Sequence, residues 1–248
     1  MFPALLFVSI LGSSVSAPAA SAETRFLVSD WQVVYQAEAE LESGDAASLP
    51  ALLRLLDRQG VVPLTNTADL IYPGAKTFYG HGWMIDYDLD RLDVRAGWAL
   101  EELTFENFGF AENVIRETDL LAAVRQGKQD ALLQDVTPAR DDPGTRQLKR
   151  SMAVDRARSW YRRNGSWSRY RALKAALSSN DELRQMKALS WLRSGTTRCR
   201  GFTLESYRRD IVPLVTALAT HASQAVREQA SLLLRDHQNY WWTLKSHS

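Results

Sequence analysis

The stretches Val94-Arg95…Ala99-Leu100, Leu183-Arg184…Ala188-Leu189 and Val226-Arg227…Ser231-Leu232 share one pattern. Each has an apolar residue, an arginine, a small residue five places on from the first, then a leucine. The second and third copies start 43 residues apart, and the first and second 89, close to twice that. A period near 43 is the spacing of stacked helical hairpins. One such hairpin cannot bury its apolar face alone, so the pattern predicts an all-α chain whose hairpins pile side by side in a short solenoid. The doubled spacing places a further copy near residue 138, where Pro138 and Pro143 interrupt it.

Outward from these stretches, Leu27, Trp31, Val34, Ala37 and Leu41 follow each other at three and four residues. That spacing predicts an amphipathic helix over 27–42, ended by Ser43-Gly44 and placed to cap the open end of the array. Asp45 or Ser48 then caps a second helix, Pro50 suits its first turn, and Leu49, Leu52, Leu53, Leu55 and Leu56 form its buried face before Gly60 stops it. Its partner is Arg91 to Phe105. About thirty residues separate the two, against the two to eight usual between antiparallel helices. The segment 61–90 is therefore an insertion in the first hairpin. Its glycines and prolines break regular structure, while Tyr72, Phe78, Tyr79, Trp83 and Tyr87 mark it as ordered, with room for a short strand or hairpin.

A helix from Ala111 to about Gln126, a polar break at 136–145 and a basic helix from about Arg146 to Arg163 come next. Tyr170–Leu177 pairs with Leu183–Leu192, and Tyr207–Leu218 with Val226–Leu234. Tyr240-Trp241-Trp242 reads as a cap on the last apolar face.

Composition narrows the partners. With 45% hydrophobic and 24% charged residues, the chain can bury one core. Thirty Lys/Arg against twenty-nine Asp/Glu leave no global field to draw it to nucleic acid, so no nucleic-acid partner is expected. Met1 to Ala22 carry no charged side chain; Leu5 to Leu11 are mostly apolar, and small residues lead to Ala20-Ser21-Ala22. This reads as an export signal (residues 1–22) cleaved before Glu23, leaving residues 23–248 as one helical repeat domain that is periplasmic or secreted. The apolar run is too short to span a bilayer, and no later segment qualifies. Cys199, the single cysteine, cannot form an internal disulfide and reads as an incidental loop residue.

Ile211-Val212-Pro213-Leu214-Val215, followed by a short turn and Val226-Arg227 with Ala230, resembles a HEAT-like repeat. Leu49-Pro50-Ala51-Leu52-Leu53 with Asp93-Val94-Arg95 resembles one too. The resemblance implies proline in the first helix, a small residue where the helices touch and an arginine early in the second helix. It covers about half of the chain after the leader. The third copy departs from it, with Ser223 and Gln224 where an aspartate would precede the arginine. The family implies scaffolds and binding surfaces and fixes no chemistry.

Three function classes follow. The first is an exported protein-interaction module, in one form a periplasmic inhibitor or immunity-type protein, with Tyr72, Phe78, Tyr79, His81, Trp83 and Tyr87 as anchors, because buried aromatics dominate interface energy. The second is a hydrolase-like enzyme: His81, between Gly80 and Gly82, acting as a base oriented by Asp86 or Asp88. Asp86, Asp88 and Asp90 alternate like calcium-loop ligands, but the glycine and glutamate of an EF-hand are replaced by Arg91 and Gly97, so neither a metal site nor a cofactor is expected. Capping the helix from Arg91 is the plainer role for these aspartates. Glu102 and Glu106 stand one turn apart on an acidic face. The third class is a peripheral envelope protein. Ten Lys/Arg face three Asp between Arg140 and Arg171, and Arg156, Arg158, Arg162, Arg163 and Arg169 interleave with Trp160, Tyr161, Trp167 and Tyr170. Such a patch suits anionic lipid, glycan or an acidic protein face.

Overall fold

The computed structural model describes residues 21–42, 49–67, 77–80, 82–136, 141–193, 199 and 201–245; the side chains of residues 42, 77–80, 133–136 and 237–245 lie outside that description. Residues 1–20 of the segment read as an export signal (1–22), and Tyr240-Trp241-Trp242 as a side-chain cap, therefore fall outside it.

The chain is mainly helical. In order it forms α1 (Ala22–Phe26), α2 (Trp31–Glu42), α3 (Leu49–Leu55), β1 (Thr77–Gly80), β2 (Trp83–Asp86), α4 (Leu92–Thr104), β3 (Asn113–Arg116), α5 (Glu117–Arg125) and α6 (Gln129–Val136). Then come α7 (Pro143–Arg163), α8 (Arg169–Leu177), α9 (Glu182–Arg193), α10 (Leu204–Ser206), a π-helical turn (Tyr207–Ile211), α11 (Val212–Leu218) and α12 (Gln224–Lys245). The expected hairpins are packed pairs: α3 on α4, α8 on α9, and α11 on α12. Between the last two hairpins, first helix lies on first helix (α8 on α11) and second on second (α9 on α12). Helix α4 packs on α1 and α2 as well as α3, and on α7 and α8.

The repeated arginines explain part of the pattern. Arg95 is wholly buried and donates Nε to the Leu89 carbonyl, Nη1 to those of Phe26 and Val28, and Nη2 to that of Val62, all at 2.7–2.8 Å. Arg227 likewise donates to the carbonyls of His221 and Ala222 at 2.7 Å. Both reach six residues back, closing the turn that enters their helix. In the middle copy Gln185 makes that contact, to the Ser179 carbonyl, and Arg184 turns to Glu106 at 2.7 Å. The small-residue register also slips. Ala99 and Ala188 are buried, but Ser231 is exposed, and Ala230 with Leu233 fills the contact in the third copy.

Two expectations need correcting. The helix expected over 27–42 begins only at Trp31, as α2; Leu27 caps the separate short helix α1, and in the connection between them Asp30 Oδ1 accepts the Gln32 amide at 2.9 Å. The helix expected from Ala111 starts at Glu117, because residues 113–116 form β3. Val114 and Ile115 are β-branched, and β2 offers them an antiparallel edge, with Met84 opposite Ile115 and Trp83 opposite Arg116. The sheet order is β1-β2-β3, so the hairpin inside 61–90 is completed by a strand from beyond α4. The Phe110 ring packs against α4 at Gly97, which leaves it room; a Cβ there would lie 2.2 Å from the ring.

Candidate interaction surface

Of the expected insertion anchors, only Trp83 and Tyr87 have described side chains, and these two engage different partners. Tyr72 and His81 lie outside the described residues, and Phe78 and Tyr79 are described by backbone alone, paired with Ile85 and Met84. Trp83 is half-buried beneath Arg116, whose guanidinium carbon lies 5.5 Å from its ring centroid; Arg116 also pairs with Glu182 of α9. Tyr87 is not an exposed anchor. It is 2% exposed, and its hydroxyl donates to Glu101 Oε2 at 2.7 Å. Burial beside Glu101 and Glu102 pushes that phenol well above its ordinary pKa.

The three aspartates diverge. Asp86 accepts from Asn113 Nδ2 at 3.0 Å, Asp88 faces Arg150 at 3.4 Å, and Asp90 accepts the Leu64 amide at 2.9 Å. Among the described residues no group of three or more His, Cys, Asp or Glu is placed to hold a metal ion. The glutamates of α4 are likewise internal struts. Glu101 Oε1 accepts the amides of Phe108, Gly109 and Phe110 at 2.6, 2.8 and 3.2 Å, folding the 105–110 loop onto the helix. Glu102 pairs with the buried Lys187 of α9 at 2.9 Å.

Convergence occurs instead along α7. Asp142 starts this helix, its Oδ1 accepting the amides of Gly144 and Thr145, with Pro143 in the first turn. Ala153 and Ala157, four residues apart, let one face lie close against the protein. That face is then fastened: Arg150 reaches Asp88 and Glu112 at 3.4 Å, Arg156 Nε donates to the Phe108 carbonyl at 2.6 Å, and Trp160 Nε1 donates to Glu106 at 3.1 Å. Glu106 also accepts from Arg184, so one carboxylate ties the end of α4 to α7 and α9. Burial raises the Glu106 carboxyl above its ordinary pKa, against the opposing pull of Arg184 and Trp160. Glu112 is raised too, first by burial and then by Asp88, with Arg150 and Arg146 opposing.

The opposite face of α7 is open. Leu148 and Met152, one turn apart, are 61% and 49% exposed. Beyond them a cleft of about 410 Å³ is lined by Glu106, Phe108, Asp155, Arg156, Ser159, Trp160 and Arg163. Arg156 is held there by its Nε bond and by Gly109, whose left-handed φ of 91° and missing side chain make room for the guanidinium; a Cβ would lie 2.4 Å from Nη2. The other expected patch residues differ in role. Arg158 pairs with Asp57, and Arg162 donates to Ser159 at 3.0 Å. Arg163 has no hydrogen-bond or ion-pair partner among the described residues.

Arg169 is corrected: it is 2% exposed, stacked between Phe105 and Trp191 at 4.8 and 4.9 Å, and donates to the Glu102 carbonyl. A planar guanidinium between two rings is a core element. Sequence reasoning missed Leu148, Met152 and Glu106 as parts of this surface. The signal was present: alanines at 153 and 157 mark the buried side of α7, and Leu148 and Met152 fall opposite them at 100° per residue.

Compared with protein families, with curated proteins and with solved structures, the chain matches none. No described helix is long and apolar enough to cross a membrane.

Proposed function

We propose that this protein is an exported protein-interaction module that receives an acidic partner on the open face of α7, in one form as a periplasmic inhibitor or immunity-type protein. The observation that carries the reading is the two-sidedness of that helix. One side is fastened to α4 and the 105–110 loop, the other keeps Leu148 and Met152 in water, and Arg156 and Arg163 stand along the border between them. An exposed apolar spot rimmed by polar and charged side chains is a recurrent mark of a protein-binding surface, and here arginines outnumber the carboxylates of Asp155 and Glu106 along the helix. Helix α7 holds seven basic residues and one acidic residue in a chain of net charge +1, so the field is local to this helix.

The HEAT-like solenoid belongs to the same proposal. Its support is the stacking of α8 on α11 and α9 on α12, together with the six-residue reach of Arg95, Gln185 and Arg227. The test is capture of envelope proteins by the tagged protein and by the double variant Met152→Asp, Arg163→Glu. Loss of a discrete partner with unchanged helicity is expected; identical capture overturns the assignment.

A further inference from the structure

We infer that the element received on α7 is an acidic amphipathic helix of the partner, lying along the α7 axis. The inference rests on the reading of α7 as the binding face and adds the form and chemistry of what binds. Taking 100° per residue, Leu148, Met152, Asp155 and Ser159 fall on one narrow stripe, at alternating separations of four, three and four residues. That is the spacing at which one helix seats the side chains of another. Arg156 and Arg163 flank the stripe on the same side, seven residues and about 10.5 Å apart along the axis.

A second helix running beside α7 repeats at the same seven-residue interval, so two carboxylates seven residues apart on it meet both guanidinium groups at once. An extended strand does not, because its same-face side chains recur every two residues, about 6.6 Å. Arg156 is preorganised for this role. Its Nε is spent on the Phe108 carbonyl and its Nη2 takes the space a Gly109 side chain would fill, while its terminal nitrogens have no acceptor among the described residues. A fixed guanidinium presents its remaining donors to a carboxylate with little further ordering cost. Leu148 and Met152 supply the apolar seat at the N-terminal half, where Met adapts to an irregular partner side chain. A lipid surface fits less well. An in-plane helix buries a broad apolar face, and here two apolar side chains stand beside a ridge of Asp155, Ser159 and arginines.

The experiment uses the chain from Glu23 to Ser248 and a lactam-stapled helical peptide with a leucine stripe and two glutamates seven residues apart. Fluorescence anisotropy is expected to show saturable binding at about 1–100 µM, weakening as salt rises. Arg163→Glu should weaken it at least tenfold, and a peptide with lysine at the facing glutamate should restore it to the variant. Met152→Asp should abolish binding without changing helicity. Failure to saturate by about 1 mM, or binding indifferent to both substitutions, overturns the inference. So does α7-dependent binding to phosphatidylglycerol vesicles in place of the peptide, or a dimer that Met152→Asp dissolves. If the peptide fails while envelope capture still depends on Met152 and Arg163, the helical partner falls and the interaction reading stands. If capture is also indifferent, both fall.

Discussion

Replacing Arg95 by methionine tests how the N-terminal half is held together. The side chain is wholly buried, and its four hydrogen bonds join the α1–α2 connection, residue 62 and the turn before α4 to α4 itself. Methionine keeps the unbranched stem and most of the packing but offers no donor. Each bond to a charged group contributes about 1.5–3 kcal/mol net, which for four bonds bounds the loss near 6 kcal/mol at the low end. Against this, the variant no longer buries a charge. That cost is visible in the guanidinium pKa, pulled down to about 10 by burial despite the help of Asp90. The balance is a loss of about 3–5 kcal/mol, the scale found when one member of a buried ionic network is removed. For a domain of this size that lowers Tm by about 10 °C. Lysine at 95 keeps the charge but spreads three donors from one point, and should cost about 2 kcal/mol. The assay is urea unfolding followed by circular dichroism, read as a shift in midpoint at constant slope. A methionine variant within about 1 kcal/mol of the parent would refute the claim that these carbonyls depend on Arg95.

Further outcomes follow from other residues. Glu101→Leu should cost about 3–5 kcal/mol by stripping acceptors from three loop amides and the Tyr87 hydroxyl, whereas Tyr87→Phe should cost about 1 kcal/mol; equal effects in urea unfolding would contradict this. Glu106 has a raised carboxyl pKa, so the folded state holds an extra proton between the ordinary and the raised value, and stability should fall as pH rises through that window. Glu106→Gln should flatten that slope without removing it, because Glu112 is shifted in the same direction; a parallel slope in unfolding midpoints across acid pH would count against it. Gly97→Ala should destabilise the chain despite alanine's better helix propensity, because the new methyl overlaps the Phe110 ring; a raised Tm would contradict that packing. If the leader is cleaved as proposed, N-terminal sequencing of the exported protein should begin at Glu23, removing the Ser21 hydroxyl that accepts the Thr24 amide at 3.3 Å; an intact Met1 would contradict export with cleavage.

Much of the helical organisation was legible in the sequence, since apolar spacing reports which face a helix buries. The pairs α3–α4, α8–α9 and α11–α12 fall where Leu49–Leu56, Leu183–Leu192 and Val226–Leu234 place them. Strand β3 was not legible. Asn113–Arg116 is four residues long, and it becomes a strand because β2, near in space and distant in sequence, offers an edge. The slipped third copy shows the same limit: Ser231 and Ala230 are both small, and only packing against α9 and α11 decides which lies inside. From sequence alone Arg169 and Tyr87 look like surface groups because each has a polar end. Both spend that end internally, Arg169 between two rings and Tyr87 on Glu101. The basic character of α7 was evident from composition, but which of its arginines stay available depended on Asp57, Ser159 and the Phe108 carbonyl, all outside the helix's local pattern except Ser159.

The open face of α7 is tested most directly by photo-crosslinking in the producing cell, with a photoreactive residue at Met152 or, as an equally exposed control, at Val124 of α5. The account predicts a discrete protein adduct from position 152, lost in the Arg163→Glu background, and none from position 124. An adduct from position 124 with none from 152, or adducts indifferent to Arg163, would contradict it.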